Sequence, residues 1–297
     1  MAITDVIINY RRFLKRRNYS GYTLRNYMNT LKHFIVWLDV PVEQVNHKII
    51  LSFIEHLLNK HLHPKTINCY LDSVRSFYDY LINEEQIQIT HPVKRGYILR
   101  LPQPLPRHLR DEEIPKLLEV ITNARDRAMF MLMLRCGLRV EEVAKLTLAA
   151  LDLQRSQLFV YEGKGLKDRM VYLSNDASRA LIDYLKVRPG SRTKRVFLVS
   201  KGRCSGNPIS VRGIQKRMEQ YAKTAGMKVS CHQLRHTMAT QLLNADADLV
   251  TVQDLLGHSR IKTTQRYCRL SNLKVQRDYF KAMAVIQQRR EGDVAMT

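Results

Sequence analysis

Five side chains in the second half of the chain could together transfer a phosphoryl group without a metal ion. They are Arg139, His232, Arg235, His258 and Tyr267. A phosphodiester under attack by an oxygen nucleophile gains negative charge on its non-bridging oxygens. Two guanidiniums can bind those oxygens, because each is a planar fork of donors that stays charged. A phenol with a pKa of about 10 becomes nucleophilic when neighbouring histidines or arginines remove its proton or stabilise its oxyanion. This set therefore fits phosphoryl transfer through a phosphotyrosine.

The segment HQLRHTMATQLLN, which begins at His232, predicts a helix. Its apolar residues Leu234, Met238 and Leu242 recur every four residues, as a buried stripe requires. His232 and Arg235 are three residues apart and occupy adjacent faces. We therefore expect both side chains to point into one cleft.

Arg139 follows a glycine that interrupts a helical pattern. Residues 128–134, AMFMLML, are apolar on all sides and predict a buried central helix. Gly137 ends this helix and RVEEVAKL restarts it, which places Arg139 at a helix beginning. Glu142 lies three residues further on the same face. An ordinary helical ion pair with Arg139 explains Glu142 as well as a role in catalysis does.

Four segments of the chain resemble the tyrosine recombinases, the lambda-integrase superfamily. They are RCGLRVEEVAKL, YEGKGLKDRMVYL, CHQLRHTMAT and LLGHSRIKTTQRY, in the order and at the spacing of that family. The resemblance spans roughly residues 5–275 and is closest to the compact Xer-type and transposon-borne site-specific recombinases. It implies a helical core-binding domain and an α+β catalytic domain that form a C-shaped clamp on DNA.

The resemblance also implies a role for each residue of the set. Tyr267 would attack a DNA phosphate and form a 3′-phosphotyrosine, with Arg139 and Arg235 holding the phosphate oxygens. His258 would be a further donor and His232 the general base. The covalent bond conserves the phosphodiester energy, so the family needs neither a metal nor a nucleotide cofactor.

Two supporting residues depend on the family motif more than on the pattern itself. Surface turns of basic proteins often carry lysine, so position alone does not single out Lys164. The match of its Gly-Lys-Gly segment to the family makes it the expected general acid, with Lys167 as the other candidate. In the family, the acidic residue that matches Glu142 supports the active site.

A metal site is not expected at the two histidines of the predicted helix. His232 and His236 are four residues apart, but HQLRH lacks the glutamate of a zincin and shows no third ligand. We therefore interpret His236 as a packed structural residue.

Composition points to a folded protein with a polyanionic partner. The chain has 297 residues, 49 Lys and Arg against 27 Asp and Glu, and a net charge of +22. Nucleic acid is the first candidate partner for such an excess. A hydrophobic content of 45% argues against a short, highly basic ribosomal type of protein and predicts two domains with cores.

The cysteines and the apolar runs bear on location. The five cysteines are scattered without a CxxC pair, which indicates reduced thiols. The longest apolar run is far too short to span a bilayer, and the first residues lack the pattern of a signal peptide. We expect a cytoplasmic protein without membrane contacts.

The order of elements predicts a mainly helical fold with a small antiparallel sheet. Four helices fill residues 1–97, and a Pro-rich basic linker follows at 98–107. Residues 108–297 form the expected catalytic domain, with a C-terminal oligomerisation helix at about 271–290. In it, QLFVYE and RMVYL flank a glycine-containing turn and predict a strand pair, with residues 196–198 as a candidate third strand.

Two basic segments are candidate DNA contacts, although a solvated charged face explains them almost as well. The first lies near the N-terminus and interleaves with aromatic residues; the second lies on a predicted helix at 209–226 that could enter a major groove. Their cationic candidates are Arg11, Arg12, Lys15, Arg16, Arg17 and Arg25 in the first, and Arg212, Lys216 and Arg217 in the second.

The resemblance implies double-stranded DNA with inverted-repeat core sites as the partner, bound by a homo-tetramer on two sites. The C-terminal helix would join the protomers, and accessory proteins could take part. Chromosome-dimer resolution, integration and transposon cointegrate resolution all use this architecture. Two alternatives remain open: a type IB topoisomerase-like enzyme that rejoins the same strand, and a basic DNA-binding protein without catalysis.

Overall fold

The structure is a computed structural model that describes residues 3–102, 107–161, 168–257, 279–281 and 283. Backbone contacts divide the chain into two compact units, Met1–Gln103 and Pro104–Thr297. Both units are mainly helical, and the second also contains a three-stranded antiparallel sheet. The predicted fold class, mainly α with a small antiparallel sheet, is confirmed.

The first unit contains four α-helices with well-defined beginnings. Side chains of Ser20, Asn46 and His63 accept hydrogen bonds from the first turns of the second, third and fourth helices, and proline is the first residue of the fourth. Tyr10, Leu31, Phe53 and other apolar residues of the four helices form one buried cluster. The helices are α1 (Ile3–Arg16), α2 (Gly21–Trp37), α3 (His47–Asn59) and α4 (Pro64–Asn83).

The second unit is built around one buried helix, α6 (Ala124–Arg135). All residues from 128 to 134 are buried, as their uniformly apolar character predicts. Helix α6 packs against α8 and α10, so the elements that carry the candidate site share one core. The other helices described between residues 107 and 257 are α5 (Glu113–Glu119), α7 (Val140–Lys145), α8 (Asn175–Val187), α9 (Val211–Thr224), α10 (Cys231–Asn244) and α11 (Leu249–Leu256).

A buried carboxylate joins α6 to α9. Asp126 is fully buried, and its Oδ1 accepts hydrogen bonds from Arg125 Nε and Nη2 at 2.8 and 2.7 Å. Its Oδ2 accepts from Arg217 Nε at 2.6 Å and from the Tyr221 hydroxyl at 3.1 Å. Each charge at this helix junction is thus paired, as a buried carboxylate requires.

The sheet differs from the prediction in its third strand. The order is β1 (Leu151–Asp152), β2 (Gln157–Val160) and β3 (Arg169–Tyr172), with the predicted pair β2 and β3 at its centre. The prediction of a strand at 196–198 was wrong. Leu198 forms only an isolated antiparallel bridge with Pro208, which does not extend into a strand. Val196 N donates instead to Leu146 O at 2.8 Å, and Leu198 N donates to the Tyr184 hydroxyl at 3.1 Å.

Within the part of the chain that the structure describes, no helix combines the length and the apolar character that crossing a membrane requires.

Candidate functional site

Three arginine side chains from different elements converge on the C-terminal end of α11. Arg139 precedes α7, Arg169 begins β3 and Arg235 lies in α10. Each donates to a different one of three consecutive carbonyls at residues 255–257. The last carbonyls of a helix have no intrahelical partner and carry partial negative charge, so arginines are well suited to bind them.

Two glycines in the left-handed conformation give this convergence its shape. Gly137 ends α6 at φ +64°, and Gly257 ends α11 at φ +59°. A Cβ on Gly137 would lie 3.0 Å from Leu256 Cδ2 and 3.1 Å from Met238 Sδ. Both chain reversals therefore require glycine, for backbone conformation and, at Gly137, for the close packing of α6, α10 and α11.

Arg235 is the most deeply placed of the three arginines. Only 1% of its surface is exposed, although it carries a full charge. Its Nη1 donates to the Gly137 carbonyl and its Nη2 to the Leu256 carbonyl, which ties the ends of α6 and α11 to α10. A buried guanidinium must be hydrogen-bonded in this way to offset its lost hydration.

Arg139 is fixed by the carboxylate of Glu142. Arg139 N donates to Glu142 Oε2 and Arg139 Nη1 to Glu142 Oε1, both at 2.7 Å. Arg169 makes a second, bidentate contact with the same carboxylate, from Nη1 to Oε1 at 2.9 Å and from Nη2 to Oε2 at 2.7 Å. Two guanidiniums, those of Arg139 and Arg169, thus share the one carboxylate of Glu142. Together with Arg235 at the end of α11, the cluster carries an excess of positive charge suited to a phosphate.

The pKa of Glu142 reflects this environment. Burial alone would raise it, but the hydrogen bonds and charges of Arg169 and Arg139 outweigh burial and lower the pKa from 4.5 to about 2. Glu142 is therefore ionised at neutral pH, and it contributes to the site by holding arginine side chains and by its negative charge.

Acid should remove the stabilisation that Glu142 provides. Its folded pKa lies below its unfolded pKa, so the unfolded state binds the proton first and stability falls as pH falls from about 4.5 to about 2. The free energy of unfolding should lose about 3 kcal/mol from this group. Urea unfolding of the wild type and of Glu142→Gln between pH 6 and 2.5 measures it. The difference between them should shrink towards acid; a constant difference would contradict the assignment.

The two histidines of α10 lie beside each other at the mouth of an open cleft. The ring centroids of His232 and His236 are 4.2 Å apart. Both histidines line a cleft of about 510 Å³, together with Arg107, Lys228 and residues adjacent to them in sequence. Arg235 does not line this cleft. His232 is exposed and His236 is half-buried. The structure therefore places His232 and Arg235 on one helix but directs them to different surroundings, and brings His236 next to His232.

Four predicted site residues lie outside the described residues: Lys164, Lys167, His258 and Tyr267. Their flanking residues are described. Val160 and Arg169, which are paired across β2 and β3, flank the segment with both lysines, and Gly257 directly precedes His258. The arginine cluster is thus next in sequence to both segments that carry the remaining candidates.

Other tyrosines of the second unit are less suited to act as nucleophiles. Tyr184 donates its hydroxyl to the Val196 carbonyl, and the Tyr221 hydroxyl donates to Asp126. Burial raises the pKa of both phenols. Tyr172 is exposed on β3. It lies in the segment YEGKGLKDRMVYL, whereas the tyrosine that matches the family's nucleophile, Tyr267, ends the segment LLGHSRIKTTQRY.

The candidate DNA-contacting cations differ in their surroundings. Arg212 and Lys216 on α9 are exposed, whereas Arg217 is half-buried and bound to Asp126, Gln220 and Tyr221. Arg217 therefore already serves the junction of α6 and α9. The candidates of the first unit are all exposed: Arg11, Arg12, Lys15, Arg16, Arg17 and Arg25.

Arg169 is the site residue that sequence reasoning missed. The alternation in RMVYL predicts a strand, and neither this pattern nor the family segment that contains it assigns a role to Arg169. Its apolar alternation indicates which face is buried, but only the fold shows that Arg169 reaches Glu142 and Leu255. The one available signal was a further basic residue next to the lysine-containing turn.

Comparison with known proteins shows the family to which the chain belongs. The family model described as the phage integrase family matches residues 107–273, and that of its N-terminal SAM-like domain matches residues 7–85. The chain is 30% identical over 296 residues to a tyrosine recombinase XerC of Staphylococcus haemolyticus, covering 94% of this chain and 96% of the relative. It is 34% identical over 273 residues to a XerC of Thermodesulfovibrio yellowstonii, covering 88% and 90%.

A solved structure shares the fold. It shows the XerH site-specific recombinase bound to a palindromic difH substrate in a post-cleavage complex, with a TM-score of 0.72 at 21% identity over 89% of this chain and 80% of that one. Together with the two family models and the relatives, the fold defines the class of protein. This chain belongs to the phage integrase family, the family of the tyrosine recombinases.

Proposed function

We propose that this tyrosine-type site-specific DNA recombinase cleaves DNA with the phenol oxygen of Tyr267. The oxygen attacks a backbone phosphorus, the bond from phosphorus to the 5′ oxygen breaks, and a 3′-phosphotyrosine and a free 5′ hydroxyl result. A 5′ hydroxyl from the partner strand then attacks the phosphotyrosine and releases Tyr267. Each step exchanges one phosphodiester for another, so the reaction needs neither a metal nor a nucleotide cofactor.

The convergence of Arg139, Arg169 and Arg235 around Glu142 and the end of α11 is the observation that supports this proposal most. In the proposed reaction, Arg139 and Arg235 stabilise the charge that develops on the non-bridging oxygens. Preorganised charge of this kind is usually the largest catalytic effect in phosphoryl transfer.

The proton transfers fall to residues around this cluster. We propose His232 as general base for the Tyr267 hydroxyl, His258 as a further donor to the phosphate, and Lys164 as the general acid that protonates the leaving 5′ oxygen. Glu142 supports the site by holding Arg139 through two hydrogen bonds of 2.7 Å.

The partner is double-stranded DNA. We propose that it carries inverted-repeat core sites, which the palindromic substrate of the XerH relative supports. Two groups of exposed cations would contact its phosphates: the six candidates of the first unit, from Arg11 to Arg25, and Arg212 and Lys216 on α9. We further propose residues 1–97 as the core-binding domain, 98–107 as the linker and 108–297 as the catalytic domain.

Assembly and location complete the proposal. Four protomers would act on two sites, joined by a helix at about 271–290; of this segment the described residues 279–281 and 283 are helical, with Tyr279 and Phe280 exposed. Accessory proteins could select the sites. We propose a cytoplasmic location, where DNA is present and unpaired cysteines stay reduced.

Strand exchange between two DNA fragments tests the function. Two fragments of different length, each containing the site from the DNA that flanks the gene, are incubated with the protein, and the products are sized after protease treatment. Recombinant lengths are expected. Relaxation of a supercoiled plasmid without exchanged products would favour the topoisomerase alternative, and footprinted sites without cleavage would favour a DNA-binding protein.

A further inference from the structure

Arg169 commits its whole guanidinium to the protein. Its side chain is 8% exposed. Nε donates to the Leu255 carbonyl at 2.9 Å, Nη1 to Glu142 Oε1 at 2.9 Å and Nη2 to Glu142 Oε2 at 2.7 Å. All three guanidinium nitrogens thus donate to acceptors of the protein. Arg169 therefore binds Glu142, the carboxylate that also holds Arg139, rather than a ligand.

These contacts connect three parts of the candidate site. Arg169 begins β3, directly after the segment that carries Lys164. Through Glu142 it reaches Arg139, and through the Leu255 carbonyl it reaches the end of α11, three residues before His258. No other arginine among the described residues joins β3 to both α7 and α11.

The fit around Arg169 is close. A Cβ on Gly257 would lie 2.9 Å from Arg169 Cδ, 3.2 Å from its Nη1 and 3.3 Å from its Nε. The absence of a side chain at Gly257 therefore lets the Arg169 stem cross the end of α11. A shorter or unforked side chain could not fill this path and still make the bidentate contact with Glu142.

We propose that Arg169 is a positioning residue for strand cleavage: it holds the start of β3, Arg139 and the end of α11 in one arrangement. This inference rests on the proposed function of the same site. It assigns Arg169 no contact with DNA, so its loss should reduce the cleavage rate and leave DNA affinity nearly unchanged. Misplacement of reacting groups by about 1 Å can slow a reaction on the order of 100-fold.

Three variants test the inference in the full-length chain. Arg169→Met keeps the stem and removes the fork, and Arg169→Lys keeps the charge. Arg155→Met is the matched control, because it removes the same charge. Arg155 lies in the turn between β1 and β2, and its side chain is 78% exposed. DNA affinity is measured by gel shift, and single-turnover adduct formation on saturating nicked DNA gives the cleavage rate.

We expect Arg169→Met to slow cleavage about 100-fold and Arg169→Lys about 10-fold, with affinity within about threefold of the wild type. The control should cleave at the wild-type rate. Cleavage by Arg169→Met within threefold of the wild type would overturn the proposal, as would a gel-shift affinity that falls as far as the cleavage rate. Should Arg169→Met fail to fold in a thermal melt, Arg169→Lys decides by the same criteria.

A double-mutant cycle tests whether Arg169 acts through Glu142. Residues that work through one shared contact are not additive. The variant that combines Arg169→Met with Glu142→Gln should therefore cleave about as fast as the slower single variant. Slowing equal to the product of the two single effects would show independent roles and contradict the inference.

Hydrogen exchange separates this inference from the proposed function. Arg169→Met should speed amide exchange across residues 249–257 without DNA, and Arg155→Met should not. If the wild type forms no adduct, the proposed function fails, while faster exchange would still support the contact between Arg169 and α11. Unchanged exchange would overturn the positioning role whatever the activity.

Discussion

Tyr267→Phe is expected to abolish the covalent protein–DNA adduct, with a loss on the order of 10⁴-fold or more. The substitution removes one oxygen, the proposed nucleophile, and keeps the ring. The measurement uses end-labelled nicked fragments from the DNA that flanks the gene, denaturation in SDS and detection of slowly migrating labelled protein. Footprinting should show that the variant binds the same DNA as the wild type.

Tyr172→Phe is the matched control for this experiment. Tyr172 is 57% exposed on β3, so loss of its hydroxyl should not disturb the core. It should form the adduct at the wild-type rate. An adduct that survives in Tyr267→Phe and disappears in Tyr172→Phe would move the nucleophile to the sheet.

Arg235→Gln is the second substitution with a large expected effect. Cleavage should slow on the order of 1,000-fold, because a preorganised cation is lost where charge develops. Stability should fall as well, since the buried Gly137 and Leu256 carbonyls lose their donor. Single-turnover adduct formation and thermal melting measure the two effects separately.

Arg188 provides a control that distinguishes these effects. Its guanidinium donates to carbonyls of the segment after α8, with Nε 3.0 Å from Val196 O and Nη2 2.7 Å from Arg195 O. Arg188→Gln should therefore lower the melting temperature without slowing cleavage at temperatures well below it. Equal slowing in both variants would mean that Arg235 contributes only to stability.

The helices of both units could be predicted from sequence because their signals are local. Apolar spacing, the proline at the start of α4 and the glycine after α6 each act within a few residues. The position of Arg139 at a helix beginning follows from the same kind of signal, and the structure has it as the residue before α7. The short strand β1 could not be predicted, because only its pairing with β2 defines it.

The links between elements could not be predicted in the same way. Arg169 and Glu142 are 27 residues apart in sequence, and Asp126 and Arg217 are 91 apart. Nothing in the local pattern shows that Arg169 serves the site or that Arg217 serves the junction between two helices. Tertiary packing decides which basic residues are free to meet DNA and which are already bound to a carboxylate.

The most direct test is to locate the bond between protein and DNA. The adduct is trapped on a nicked site, the DNA is trimmed by nuclease, and the peptides are examined by mass spectrometry. The account predicts a nucleotide joined through its 3′ phosphate to Tyr267. A nucleotide on another side chain, or a bond through a 5′ phosphate, would contradict it.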